Sequence, residues 1–211
     1  MDLYLLRFCT IIGSCVEIPN IRIIGDNSQT GTYILRIRLK EDTALQFGRF
    51  KKGKLISLPA GDYLYVGSAL SEKGATSLAR RLVRHATRSA DKPPHAIREK
   101  MIHQFAEYGL GNGNLLPRQG KTLHWNVDFL LDLQSTELIN ILVIRFPERL
   151  ENRIAKQPER NPRIDIIEHG LGANDAPGAT HLLHVRADGP WWASLTDDAM
   201  AVLAETPNIK D

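Results

Sequence analysis

The sequence predicts an α+β fold in which helices flank a small central β-sheet, with a three-stranded antiparallel core and additional edge strands. Three observations carry this prediction. Two segments with strand periodicity, Thr32–Leu39 and Tyr63–Gly67, lie close together in the chain. An amphipathic basic helix is predicted over Leu78–Arg88. A continuous apolar run, Leu138–Arg145, has the composition of a buried central strand.

The first strand is predicted from alternation along Thr32–Leu39. Tyr33, Leu35, Ile37 and Leu39 alternate with Ile34, Arg36 and Arg38. This spacing predicts one buried face and one largely basic face. The second strand, Tyr63–Gly67, follows a turn at Leu58–Asp62 and is rich in aromatic and β-branched residues. We expect it to run antiparallel to the first.

A helix is predicted to begin after Thr76 or Ser77, either of which can cap its first turn. Its apolar arc consists of Leu78, Ala79, Leu82, Val83 and Ala86. Its basic arc consists of Arg80, Arg81, Arg84 and Arg88. His85 lies at the seam between the two arcs. The pattern indicates a helix that packs on the sheet and presents arginines outward.

The remaining elements are predicted from the turn-forming residues that separate them and from the spacing of their apolar residues. They are a helix over Ala96–Tyr108, a glycine-rich loop over Gly109–Gly120, the central strand, a short helix over Glu148–Lys156 and an edge strand over His181–Val185. We predict one domain over residues 26–187 with an insertion at about 91–120. Residues 1–25 form an N-terminal extension and residues 188–211 a C-terminal tail.

Composition is that of an ordinary soluble globular protein, with 43% hydrophobic and 24% charged residues in 211. No apolar run reaches the roughly 20 residues that span a bilayer, so no membrane association is expected. Cys9 and Cys15 provide neither a disulfide framework nor the paired spacing of a zinc site. These features favour a cytoplasmic protein.

Positive charge is concentrated around the predicted helix. Between Thr76 and Lys100 there are seven basic and two acidic residues, although the whole chain carries a formal charge of only +3. A concentrated basic helix is typical of proteins that bind a phosphate backbone. On charge alone, a solvated helix face remains an equally simple interpretation.

Several short motifs occur in a fixed order. Gly31-Thr32-Tyr33 opens the first strand, Tyr65-Val66-Gly67 closes the second, and Arg81 and His85 lie on the following helix. This order resembles the GIY-YIG nuclease superfamily. Further stretches resemble its Uri-type branch, also described as DUF123, and the resemblance covers Gly31 to Val185. Those stretches are Leu58–Ala69, Arg81–His85, His124–Phe129, Gly170–Asp175 and Thr180–Leu183.

The resemblance implies a divalent-metal-dependent endonuclease that hydrolyses DNA phosphodiester bonds. It implies that Tyr33 and Tyr65 supply the general base, that Arg81 clamps the phosphate and that His85 assists proton transfer or phosphate contact. It also implies a glutamate that binds one Mg²⁺ or Mn²⁺ ion, for which Glu151 is the first candidate and Glu148 the second. A phenol has a pKa of about 10, so this role requires a neighbouring positive charge that lowers it.

Candidate DNA contacts are Arg80, Arg84, Arg88, Ser68, His124 and Asn126, and no organic cofactor is expected. Two residues depart from the family pattern. Asn126 stands where relatives have a second histidine, and Ala176 stands where many have cysteine. Asn174, Asp175 and His181 are further candidates to line the site, although Asn174 and Asp175 are equally typical of a turn.

Two other classes of protein remain open from the sequence. One is a nucleic-acid-binding module of the same fold with little or no turnover, for which binding should weaken steeply as salt rises. The other is an enzyme that acts on a small phosphorylated substrate, for which we expect a closed pocket instead of an open basic face.

Overall fold

The computed structural model describes residues 20–159, 161–172, 179–186 and 189–206. Within these ranges the protein contains a six-stranded mixed sheet, a separate two-stranded hairpin and five α-helices. The elements in chain order are β1 (Asn20–Gly25), β2 (Gly31–Leu39), β3 (Thr43–Gln46), β4 (Leu55–Leu58), β5 (Gly61–Ala69), α1 (Leu78–His85), α2 (Ile97–Glu107), α3 (Asn126–Leu131), β6 (Thr136–Arg145), α4 (Glu151–Glu159), β7 (Ile164–Asp165), β8 (Leu182–Val185) and α5 (Gly189–Ala204).

The large sheet has the strand order β1-β6-β2-β5-β8-β7. Its centre, β6-β2-β5, is antiparallel, and β5 pairs with β2 in the predicted orientation. β8 and β7 continue this antiparallel pattern, whereas β1 pairs in parallel with β6. The prediction of an α+β fold with a mixed sheet and flanking helices is confirmed.

Helices cover both faces of the sheet. Helices α1, α2 and α3 pack on one face through residues such as Leu82, Met101 and Leu130, which are fully buried. Helices α4 and α5 pack on the other face around Leu64 and Leu195. Full burial of one such aliphatic side chain contributes about 1.5–3 kcal/mol to the free energy of unfolding. The two layers therefore hold β2 and β5 rigidly at the centre.

The basic face predicted for β2 is largely covered, since Arg36 is buried and Arg38 is only partly exposed. Arg36 is 5% exposed, and its Nε donates to Oδ2 of Asp62 at 2.8 Å. Arg38 donates to the other carboxylate oxygen of Asp62 at 2.7 Å. The guanidinium of Arg36 also lies 4.9 Å from the ring centre of Trp192 in α5. The alternation of residues along β2 could not predict this burial. The carboxylate of Asp62 lies on the neighbouring strand β5, and helix α5 lies more than 150 residues after Arg36 in the chain.

The two regions predicted as an N-terminal extension and a C-terminal tail contribute a strand and a helix to the fold. Residues 1–19 of the predicted extension lie outside the described residues, while Asn20–Gly25 forms β1. In the predicted tail, α5 contributes Trp191, Leu195 and Val202 to the second core. The predicted insertion at 91–120 contains α2. Among the described residues, no helix combines the length and apolar character required to cross a membrane.

Candidate active site

The two glycine and tyrosine motifs meet on neighbouring strands. Tyr33 of β2 lies opposite Gly67 of β5 in the antiparallel register. A Cβ atom at position 67 would lie 2.6 Å from the Tyr33 hydroxyl, because the phenol ring occupies that space. Gly31 is equally restricted, since its Cβ would lie 2.1 Å from the carbonyl oxygen of Ile144. Gly67 is therefore required by the Tyr33 ring, and Gly31 by the backbone of the neighbouring strand β6.

Replacing Gly67 with alanine should displace the Tyr33 ring and lower the free energy of unfolding by about 1–3 kcal/mol, the usual cost of overpacking a core. Urea denaturation of the Gly67→Ala variant measures this loss. The same substitution in a Tyr33→Ala background should cost clearly less, because the ring is gone. An equal cost in both backgrounds would contradict the assignment of the contact.

Helix α1 brings His85 beneath Tyr33. The Tyr33 hydroxyl lies 2.9 Å from His85 Nε2, and His85 Nδ1 lies 3.3 Å from Oδ1 of Asp128 at the start of α3. With the proton on Nδ1, the imidazole donates to Asp128 and accepts from the phenol. All three side chains are buried. They form a tyrosine–histidine–aspartate chain, which we call the buried relay.

The protonation equilibria of the buried relay are strongly perturbed. Burial lowers the pKa of His85 to about 4, although the Asp128 carboxylate acts in the opposite direction. Burial also raises the pKa of Tyr33, and it outweighs the lowering effect of the Arg81 guanidinium. The pKa of Tyr65 is raised for the same principal reason. At neutral pH the imidazole is therefore an uncharged proton acceptor and both phenols keep their protons.

The low pKa of His85 predicts a specific loss of stability in acid. The unfolded chain takes up a proton on this histidine near pH 6.5, whereas the folded state resists protonation until about pH 4. Stability is therefore complete above pH 6.5 and is lost as the pH falls from 6.5 towards 4. When the pH falls from 7.5 to 5, the contribution of His85 should lower the free energy of unfolding by about 2 kcal/mol.

Urea unfolding of the wild type and of the His85→Gln variant at the two pH values isolates this contribution. The groups that face His85 are Tyr33, Tyr65, Asp128, Lys121 and Arg84. All of them are retained in the variant, and Lys121 and Arg84 still lower the pKa of Asp128 there. An identical pH dependence in both proteins would refute the prediction.

Asp128 is the anchor of the buried relay. Its carboxylate accepts the backbone N–H groups of His124 at 2.9 Å and Trp125 at 2.8 Å, and it pairs with Arg84. The Nζ of the buried Lys121 lies 3.8 Å away. Burial opposes its charge, but hydrogen bonding from His85 and the positive charges of Lys121 and Arg84 outweigh that effect and lower the pKa of Asp128.

Arg81 lies one turn before His85 on α1 and points into a surface cleft. Its Nη1 donates to the backbone carbonyl oxygen of Ser68, and its guanidinium lies 4.8 Å from the ring centre of Trp125. The carbonyl and the ring fix the orientation of the guanidinium fork. A guanidinium held in this way is suited to contact two oxygens of one phosphate group.

Glu151, the first residue of α4, reaches the same cleft from the other side of β5. Its Oε2 accepts from Ser68 Oγ at 2.5 Å, and its Oε1 lies 2.8 Å from Nδ1 of the buried His181. The cleft has a volume of about 150 Å³. Its walls include Tyr65, Ser68, Leu70, Arg81, Trp125, Arg149, Glu151 and Gly172.

The donor set at Glu151 fits a divalent cation that keeps most of its water. Within the described ranges, no group of three or more histidine, cysteine, aspartate or glutamate side chains is arranged around a common metal position. Mg²⁺ is commonly held by one or two carboxylates together with substrate phosphates and water. The Glu151 carboxylate is such a hard oxygen ligand, and Ser68 and His181 fix its orientation.

The structure brings together most of the residues predicted for catalysis. Tyr65, Arg81 and Glu151 line the cleft, and Tyr33 and His85 lie directly behind it. Ser68, predicted to contact DNA, lines the cleft and donates to Glu151. Glu148, the second candidate for the metal ligand, is exposed and does not line the cleft.

The predicted DNA contacts are divided. His124 is exposed, while Asn126 is buried. Arg80 and Arg84 line a groove on the other side of α1. Arg88 does not lie on that surface: it is 7% exposed and donates to the carbonyl oxygens of Pro93 and Leu133, among others. Its guanidinium ties the end of α1 to the segment before β6, so we exclude Arg88 from the basic surface.

Sequence reasoning assigned no role to several residues of the site. Asp128 lies within the stretch His124–Phe129 that carries the family resemblance, but no role in the site was predicted for it. Lys121, Trp125 and Arg149 were not assigned to the site, and nothing in their local sequence sets them apart. His181, a candidate to line the site, contacts Glu151, while Asn174 and Asp175 lie outside the described residues.

The fold and the cleft define an α+β protein in which a buried relay, an arginine and a glutamate converge on one surface. The family model described as "Domain of unknown function DUF123" matches residues 32–201, so the chain belongs to this family. The match begins at β2 and reaches into α5. Comparison with curated proteins and with solved structures gave no match.

Proposed function

We propose that the protein is a divalent-metal-dependent endonuclease of the GIY-YIG superfamily, in its Uri-type branch, with DNA as its substrate. One observation carries the proposal: Tyr65, Arg81 and Glu151 line a single cleft, and Tyr33 is linked behind it to His85 and Asp128. All of them except Asp128 are the groups that the family resemblance implies, and they lie on β2, β5, α1 and α4.

Hydrolysis begins when water attacks the phosphorus atom and the bond to the leaving oxygen breaks. The Arg81 guanidinium, already oriented by Ser68 and Trp125, binds the non-bridging oxygens, on which negative charge accumulates. Glu151 would hold the Mg²⁺ or Mn²⁺ ion, which would stabilise the charge on the leaving oxygen. Tyr65, at the wall of the cleft, orients the water.

The proton of the attacking water passes to the Tyr33 oxygen while the phenol proton moves to His85 Nε2. This coupled transfer avoids a free tyrosinate, which burial disfavours by raising the pKa of Tyr33. Asp128 accepts from His85 Nδ1 and stabilises the imidazolium that forms. The phenol therefore acts as a general base without a resting pKa near neutrality.

Cleavage assays on supercoiled plasmid and on flapped DNA test the proposal, with Mg²⁺, Mn²⁺ or EDTA. We expect metal-dependent nicking that is lost in Arg81→Ala and retained in the matched variant Arg98→Ala, which removes an arginine from α2 instead. Absence of cleavage in every metal, together with salt-sensitive DNA binding, would favour the non-catalytic binding module.

A further inference from the structure

A second concave surface lies on the opposite side of α1 from the catalytic cleft. This groove, which we call the arginine groove, runs between α1 and the segment 115–122 and has a volume of about 620 Å³, roughly four times that of the cleft. The charged and apolar residues that line it are Arg80, Arg84, Arg118, Leu115, Leu116 and Pro117.

The charge of the arginine groove is uniformly positive. Three arginines and no acidic residue line it. Arg84 is held in place by Asp128 and by the carbonyl oxygen of Thr122. Arg80 and Arg118 take part in no ion pair or hydrogen bond of their side chains within the described ranges. Two cationic side chains are thus available to an anionic ligand.

The groove and the cleft share their boundary elements. Arg80 and Arg81 are neighbours on α1, and the first faces the groove while the second faces the cleft. On the other wall, Thr122 lines the groove and Trp125, three residues later, lines the cleft. A polymer bound in the arginine groove can therefore continue across α1 into the cleft.

One wall of the groove is apolar. Leu116 is 36% exposed there, next to Pro117 and the more buried Leu115. Proteins that bind single strands combine a positive groove for the backbone with side chains that pack on the exposed base faces, usually aromatic ones. In the arginine groove, Leu116 and Pro117 supply such a surface. A double helix turns its base faces inward, so only an unpaired strand can use both walls. The recessed shape and the pairing of an arginine wall with an apolar wall favour that ligand.

We propose that the arginine groove binds an unpaired nucleic-acid strand next to the phosphodiester bond that is cut. The inference rests on the proposed nuclease function and makes DNA that carries a single-stranded segment, such as a flap or a splayed end, its preferred substrate. Arg80 and Arg118 contact successive phosphates, and Leu116 and Pro117 contact the sugars and bases.

Binding without metal tests the groove separately from catalysis. The probe is a fluorescein-labelled 20-nucleotide oligo(dT), compared with a blunt duplex of equal length, measured by fluorescence anisotropy in EDTA. We expect oligo(dT) to bind more tightly than the duplex. Arg118→Glu should weaken oligo(dT) binding about tenfold and lower the slope of log K against log salt by about 0.7.

Lys40→Glu is the matched control, because it makes the same charge change on an exposed residue just beyond the far end of β2 from Tyr33. It should leave oligo(dT) affinity within twofold of the wild type. Equal losses in Arg118→Glu and Lys40→Glu would overturn the proposal, and so would duplex binding as tight as that of oligo(dT). Thermal unfolding of each variant verifies that it is folded.

Cleavage of a flapped substrate then separates the two hypotheses. If both hold, Arg118→Glu cuts the flap more slowly by about the factor lost in binding, whereas Lys40→Glu cuts it at the wild-type rate. Groove-dependent binding with no cleavage in any metal would refute the nuclease and leave the groove standing. Flap cleavage that is insensitive to Arg118→Glu would refute the groove and leave the nuclease standing.

Discussion

Glu151→Gln is expected to lower Mg²⁺-dependent DNA cleavage by at least about 100-fold, the usual cost of removing one electrostatic group from a transition state. Glutamine keeps the size of the side chain and an acceptor for Ser68 Oγ, so the cleft should retain its shape. It loses the negative charge that attracts a divalent cation. Initial rates on plasmid DNA across a Mn²⁺ titration measure both the loss and any shift in the metal requirement.

The matched control is Glu148→Gln, which removes an exposed carboxylate three residues before Glu151 and outside the cleft. Its activity should lie within twofold of the wild type. DNA affinity in EDTA should be unchanged in both variants, because neither removes a positive charge. Loss of cleavage in Glu148→Gln with retention in Glu151→Gln would reverse the assignment of the metal ligand.

The central strands and α1 were predictable because their periodicity is local. Alternation along Thr32–Leu39 and the apolar arc of α1 each identify an element within about ten residues. The parallel strand β1 and helix α5 were not predicted, since each of them packs against residues far along the chain. β1 pairs with Asn140–Arg145, for example, more than a hundred residues later.

The same distinction applies to the arginines. A helical wheel separates apolar from charged positions, and on that basis it assigned Arg80, Arg84 and Arg88 to one outward arc. The structure assigns each a different environment: the arginine groove, the Asp128 carboxylate, and a set of buried carbonyl oxygens. A wheel cannot distinguish solvent from a carbonyl-lined pocket, because the pocket is formed by segments outside the helix.

In the candidate site, too, residues on adjacent elements were predictable and residues from distant segments were not. Short motifs identified Tyr33, Tyr65, Arg81 and His85, which belong to adjacent elements. No motif linked Asp128 to His85, because the two residues are 43 positions apart and meet only when α3 packs beside α1. The buried relay is therefore a product of the tertiary fold and not of any one motif.

Tyr33→Phe is expected to lower the cleavage rate by about 100- to 10,000-fold, the range typical of a lost general base. The substitution removes only the hydroxyl, so the ring still fills the space above Gly67. What is lost is the oxygen that lies 2.9 Å from His85 Nε2 and passes a proton to it. Single-turnover rates on plasmid DNA measure the effect independently of product release.

Tyr63→Phe is the matched control, since it deletes a phenol hydroxyl from the same sheet that donates only to the carbonyl oxygen of Pro59. It should leave the rate within twofold of the wild type. If Tyr33 acts through the buried relay, adding His85→Gln to Tyr33→Phe should cause little further loss, because both changes break one proton path. If the losses in rate multiply in the double variant, Tyr33 and His85 act independently. If Tyr33→Phe is fully active and Tyr65→Phe is inactive, the general base is Tyr65 and not Tyr33.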